Sequence, residues 1–115
     1  MKSETAVRMF AALAQGTRLD VLRRLVRAGP AGRPAGALAA ELDAAAPTMS
    51  FHLKELANAG LVASRREGRN VIYAADFDGL RALMTFLMED CCQGDPALCG
   101  PPRRRPTETE RETRP

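Results

Sequence analysis

Residues 46–75, APTMSFHLKELANAGLVASRREGRNVIYAA, hold a helix, a sharp stop and two short runs suited to strands. Met49, Leu53 and Leu56 recur at i, i+4 and i+7, the spacing that puts apolar side chains on one face of a helix. Pro47 fits the first turn, where a missing N–H leaves no gap in the hydrogen bonding. The helix runs to about Asn58 and is ended by Gly60. Leu61–Arg66 and Val71–Ala74 are β-biased. The polar tetrad Glu67-Gly68-Arg69-Asn70 between them predicts a hairpin with its turn near Gly68 to Asn70.

Upstream, Ala6, Val7, Phe10, Ala11 and Ala14 predict a first amphipathic helix with that set facing inward. Gly16 and Thr17 restart the chain, and Thr17 with Asp20 forms an approximate capping box for a second helix. Leu19, Val21, Leu22, Leu25 and Val26 give that helix a broad buried face, with Arg18, Arg23, Arg24 and Arg27 outside. The segment AGPAGRPAG, residues 28–36, predicts a loop, and Pro34 opens a short third helix through Leu42.

Downstream, a last helix is expected from about Asp76 to Cys92, with Phe77, Leu80, Met84, Leu87 and Cys91 as its stripe. Leu83 and Met88 widen that stripe beyond what a small core needs, so it is expected to bury against a second subunit. The tail PPRRRPTETERETRP has no aliphatic or aromatic side chain and is expected to be disordered. The division is thus one domain, 1–100, and a tail, 101–115. The class is mainly α with a small β-hairpin. Helix, helix, short helix, turn, helix, hairpin is the order of a winged helix-turn-helix.

The 115 residues are 45% apolar and 27% charged, ordinary for a globular domain. No stretch approaches the ~18 uninterrupted apolar residues of a membrane span. The first residues lack the apolar run of a secretory signal. A cytoplasmic location without a membrane partner is expected. With His52 as the one histidine and no glycine-rich phosphate loop, a binding module rather than an enzyme is expected, with no obligatory cofactor. An enzyme or carrier is disfavoured because no cofactor motif is present.

The net charge of +3 conceals an asymmetry. Residues 1–75 carry 11 basic and 6 acidic side chains, whereas 76–100 set Arg81 against Asp76, Asp78, Glu89, Asp90 and Asp95. The basic part suits a polyanion and the acidic part repels one. A helix-turn-helix puts the start of its second helix into the major groove of double-stranded DNA. Thr48, Ser50, Phe51 and His52 are the outward residues there: hydroxyls to donate to bases or phosphates, and a ring to meet a thymine methyl. Read structurally, Thr48 and Ser50 would be caps, Phe51 partly packed and His52 a satisfied hydrogen-bonding group. Arg65, Arg66, Arg69 and Asn70 surround one tight turn, where long cations can straddle a phosphate backbone or a narrow minor groove. A charge run is otherwise a solvated face, but this one follows directly on a helix-turn-helix.

Cys91, Cys92 and Cys99 crowd into nine residues. An odd count without an export signal does not suit a disulfide framework. Thiolates select soft ions, and three sulfurs complete the pyramidal coordination of trivalent arsenic or antimony, where structural zinc wants four ligands. Gly94-Asp95-Pro96 would fold Cys99 back towards the pair. Zinc, cadmium or lead with Asp90, Asp95 or water as a further ligand, a redox switch resolved by Cys99, and inert thiols are the other readings.

Leu13 to Ala75 resembles the ArsR/SmtB family of winged-helix metalloregulators. The resemblance rests on LAQGTRLDVLRRL, PTMSFHLKELANAGLV and SRREGRNVIYA, and above all on SxHLxxLxxAGLV followed by RxGRxxxY. It covers about two-thirds of the chain and extends through the last helix. It implies a homodimer formed by the first and last helices, operator binding without inducer, and release on inducer binding. The best-known arsenite sensors of that family carry a CxC-type site on the third helix, whereas Arg33-Pro34-Ala35-Gly36-Ala37-Leu38 holds no cysteine. CCQGDPALC is similar to a second type of arsenite-responsive repressor. The resemblance therefore implies trivalent arsenic as inducer at Cys91, Cys92 and Cys99.

Overall fold

A computed structural model describes residues 1–89. The order is α1 (Ser3–Leu13), α2 (Gly16–Ala28), a single 3-10 turn (Gly29–Ala31), β1 (Arg33–Pro34), α3 (Ala35–Glu41), α4 (Ala46–Asn58), β2 (Val62–Glu67), β3 (Asn70–Ala75) and α5 (Phe77–Met88). It is the expected mainly helical winged helix-turn-helix, with a three-stranded antiparallel sheet in place of a bare hairpin.

The core is assembled from one stripe of each helix. Val21, Leu22 and Leu25 of α2, Leu38 and Ala39 of α3, and Met49, Leu53 and Leu56 of α4 are buried together with Leu61 and Val62 at the start of the hairpin. Among the described residues no charged or polar side chain shares that core. Asp43, at φ 50, makes the turn between α3 and α4, and the Ala44 N–H closes it on the Ala39 carbonyl at 2.9 Å. A short polar side chain lets Asp visit this left-handed region more readily than most residues.

The hairpin is tighter than the sequence suggests. Glu67 pairs with Asn70, which leaves Gly68 and Arg69 as a two-residue turn. Gly68 has φ +63 and Arg69 stays at negative φ, the pattern of a type II′ turn, whose twist matches the flanking strands. At the other end, the Asp76 N–H donates to the Leu61 carbonyl at 2.9 Å, and Asp76 Oδ1 accepts from the Gly79 N–H at 2.9 Å. One residue therefore closes the hairpin and caps α5.

The structure corrects five expectations. The cap of α2 is Gln15, whose side chain accepts from the Arg18 N–H at 2.8 Å. The helix starts at Gly16, so Thr17 lies inside its first turn. In α1 the buried row is Ala6, Met9 and Ala12, leaving Val7 66% and Phe10 44% exposed. The expected face was thus about one residue off, because the i, i+3 row alone meets the core. In α2, Leu19 and Val26 lie outside the buried stripe for the same reason. The segment 28–36 is more than a loop: Arg33 pairs with Tyr73 and Pro34 with Ile72, and Pro34 sits on an edge strand where its missing donor is tolerated. Finally, α5 ends at Met88, with Glu89 in extended geometry at ψ 135, not at Cys92. Acidic side chains at a helix C-terminus oppose the dipole, and the last turn of α5 holds no basic residue to offset Glu89.

Candidate nucleic-acid interface

α4 divides its residues between two jobs. Met49, Leu53 and Leu56 point inward, while Thr48, Ser50 and Phe51 are exposed, Phe51 by 57%. The residue before the helix is Ala45, which offers no capping group, so Thr48 and Ser50 lie inside the first turns rather than capping them. Among the described residues neither hydroxyl makes a side-chain hydrogen bond. An uncapped helix start with free N–H groups and a positive dipole end suits a phosphate.

His52 is half-buried, and its Nδ1 is buried without a hydrogen-bond partner among the described residues; its ring lies 5.9 Å from that of Phe51, tilted by 59°. A simple internal hydrogen bond therefore does not account for this nitrogen. Lys54, also exposed, was not among the sequence candidates. It lies four residues after Ser50, and that i, i+4 relation puts both on one row of the helix. The same spacing arithmetic applied to the outward face would have found it.

The wing arginines are not equivalent. Arg66 and Arg69 are exposed and, among the described residues, make no ion pair or hydrogen bond; Asn70 is exposed beside them at the turn. Arg65 turns back onto its own protein. Its Nε donates to Glu67 Oε2 at 2.6 Å, its Nη1 to the Pro30 carbonyl at 3.1 Å and its Nη2 to the Ala31 carbonyl at 2.7 Å. The strand alternation explains the split: Arg65 shares a face with Glu67, and Arg66 lies on the opposite face. Arg65 thus ties the hairpin to the 3-10 turn that follows α2.

Cys91, Cys92 and Cys99 lie outside the described residues. Among those described, no three His, Cys, Asp or Glu side chains stand close enough together to hold a metal ion.

A helix-turn-helix domain family matches residues 13–65, from the end of α1 into β2. The chain is 42% identical over 80 residues to the HTH-type transcriptional regulator Rv2034 of Mycobacterium tuberculosis, covering 70% of this chain and 72% of that protein. An ArsR-like transcriptional regulator from Rhodococcus sp. RHA1 superposes with a TM-score of 0.68 at 30% identity, covering 83% of this chain and 87% of the other. The chain belongs to the ArsR family of winged helix-turn-helix transcriptional regulators. A further structure, the homodimeric winged helix-turn-helix DNA-binding domain of Mb0332 from Mycobacterium bovis, matches at a TM-score of 0.62 and 30% identity over 77% of this chain and 82% of that one. For an ArsR-family regulator, α3 and α4 are the helix-turn-helix pair and β2–β3 is the wing. No helix among the described residues is long and apolar enough to cross a membrane.

Proposed function

We propose that this regulator is a homodimeric repressor that leaves its operator when trivalent arsenic binds Cys91, Cys92 and Cys99. The observation that carries the DNA-binding half is the pairing of an uncapped, outward-facing start of α4 with a wing whose Arg66 and Arg69 have no partner among the described residues. Thr48, Ser50, Phe51 and His52 would meet the major groove, with Arg66, Arg69 and Asn70 on the phosphates or minor groove beside it.

Two features support the dimer. Val7 and Phe10 on α1 and Met84, Leu87 and Met88 on α5 are exposed apolar side chains on the first and last helices. Such a set on a small domain marks a surface that another protein covers. A matched structure is also described as homodimeric.

The sensing half rests on three thiols within nine residues, directly after the helix that would form the subunit seam. Arsenic joined to three thiolates at that point would shift one subunit against the other. Reading helices need a spacing of ~34 Å to meet successive turns of DNA, so a small shift spoils the match. Coupling of ~1–3 kcal/mol corresponds to about 5–150-fold weaker binding.

The test is fluorescence-anisotropy binding to the DNA upstream of its own gene, at fixed salt and under reducing conditions, titrated with arsenite. Release near one equivalent, abolished in Cys91→Ser and Cys92→Ser with basal binding kept, is expected. Tight binding that arsenite leaves unchanged would refute the inducer. Release by peroxide in arsenite-free buffer would assign the thiols to redox sensing, and release by zinc, cadmium or lead would assign them to those ions.

A further inference from the structure

We infer that the depression between the ends of α2 and α3 is a binding site for a phosphate-type oxyanion. The reading above assigns none of its residues a role. Arg24, Arg27 and Ala28 on α2, Arg33 on β1 and Glu41 at the end of α3 line a cavity of about 350 Å³. Glu41 Oε1 accepts from Arg24 Nη1 at 3.2 Å, and Oε2 accepts from Arg33 Nη2, so one carboxylate faces two guanidinium groups. The hydrogen bond from Arg33, supported by Arg24, holds the Glu41 carboxyl below the ordinary carboxylate range.

Three cations around one anion leave two positive charges in excess. The Nε atoms of Arg24 and Arg33 are buried and have no hydrogen-bond acceptor among the described residues. A buried N–H without an acceptor is a standing penalty, and Glu41 has already engaged one Nη of each arginine. Arg27, exposed, makes no ion pair or hydrogen bond among the described residues and leaves its whole fork free. The unmet need is therefore for oxygen acceptors carrying negative charge. Guanidinium forks match phosphate oxygens in this way, with two N–H groups meeting two oxygens. A metal cation is excluded by the sign of the charge, and an apolar ligand by the lining. A free phosphate and a phosphodiester of the DNA backbone offer the same chemistry.

The test follows the Arg Nε–Hε resonances of the full chain by ¹⁵N NMR during titration with sodium phosphate, against sodium chloride at matched ionic strength, and separately with operator DNA. If free anion is the source, phosphate shifts the Arg24 and Arg33 signals saturably, and Arg27→Ala weakens the binding about tenfold, the effect of one charge-assisted hydrogen bond. If DNA is the source, only DNA shifts them. Arg27→Ala then lowers affinity for operator and unrelated DNA alike, and reduces the salt slope by about 0.9. Unmoved resonances in both titrations overturn the site, as does an Arg27→Ala variant that binds phosphate and DNA like the parent. Arg27 lies on the outer face of α2, so the variant is expected to keep the parent's circular dichroism and melting point.

Discussion

Replacing Arg65 by lysine separates two roles for a wing arginine. Lysine keeps the charge but loses the fork that reaches two carbonyls at once. In the structure that fork serves the Pro30 and Ala31 carbonyls, and Nε serves Glu67. Two exposed hydrogen bonds from a charged donor contribute about 1 kcal/mol each, and the surface ion pair at most about 1 kcal/mol. A loss of about 2 kcal/mol lowers the ratio of docked to undocked wing about thirtyfold. Apparent affinity then falls with the fraction still docked, which gives an expected rise in operator Kd of about 3–10-fold. Anisotropy titrations across a range of salt concentrations measure it, with hydrogen exchange in β2 and β3 as a direct report on docking. Arg65→Lys should lose nearly as much affinity as Arg65→Ala with little change of salt slope. Arg66→Ala and Arg69→Ala should each reduce the slope by about 0.9. A lysine variant with parent affinity and parent exchange rates, beside a weak alanine variant, would refute the tie and return Arg65 to a plain phosphate contact.

Gly32→Ala should be the most damaging glycine substitution. At φ +67 its Cβ would stand 2.2 Å from the Tyr73 carbonyl oxygen, so backbone strain and overpacking together give about 2–5 kcal/mol by urea denaturation. Gly68→Ala, at φ +63 with nothing within 4 Å, should lose only about 1–2 kcal/mol; equal losses would contradict the steric reasoning. Phe10→Glu combined with Leu87→Glu should sediment as a folded monomer with weakened operator binding, and a persistent dimer would place the seam elsewhere. Because the folded-state pKa of Glu41 is lowered, its stabilising contribution is present above the unfolded value and lost as pH falls through the folded one. Glu41→Gln should therefore flatten the acid limb of a melting-temperature profile, and an unchanged acid limb would show that the pair with Arg33 contributes nothing.

Legibility tracked how local each signal was. The α4 stripe of Met49, Leu53 and Leu56 and the Gly68 turn are set by spacing and backbone preference within a few residues, and both stand where the sequence puts them. β1 was illegible because two residues, one of them proline, carry no alternation; Tyr73 and Ile72, nearly forty positions away, make it a strand. The α1 error has the same origin. Val7, Phe10, Met9 and Ala12 are all apolar, and only the position of the core decides which row is inside. At the candidate site, which residues lie outward on α4 was readable but the partners of the wing arginines were not. Strand alternation puts Arg65 and Arg66 on opposite faces, but the pair itself does not say which face meets the Pro30 and Ala31 carbonyls.

The division of labour along α4 also bears on how such a regulator diverges. Met49, Leu53 and Leu56 hold the helix to the core, whereas Thr48, Ser50, Phe51 and Lys54 are exposed on its other side. If the second set reads DNA as proposed, substitutions there disturb the packing least, and a lineage could change its target sequence in single steps with the fold kept. His52, half in and half out, is the exception. On the proposed reading it is a position where a new preference in DNA and the integrity of the fold would have to change together.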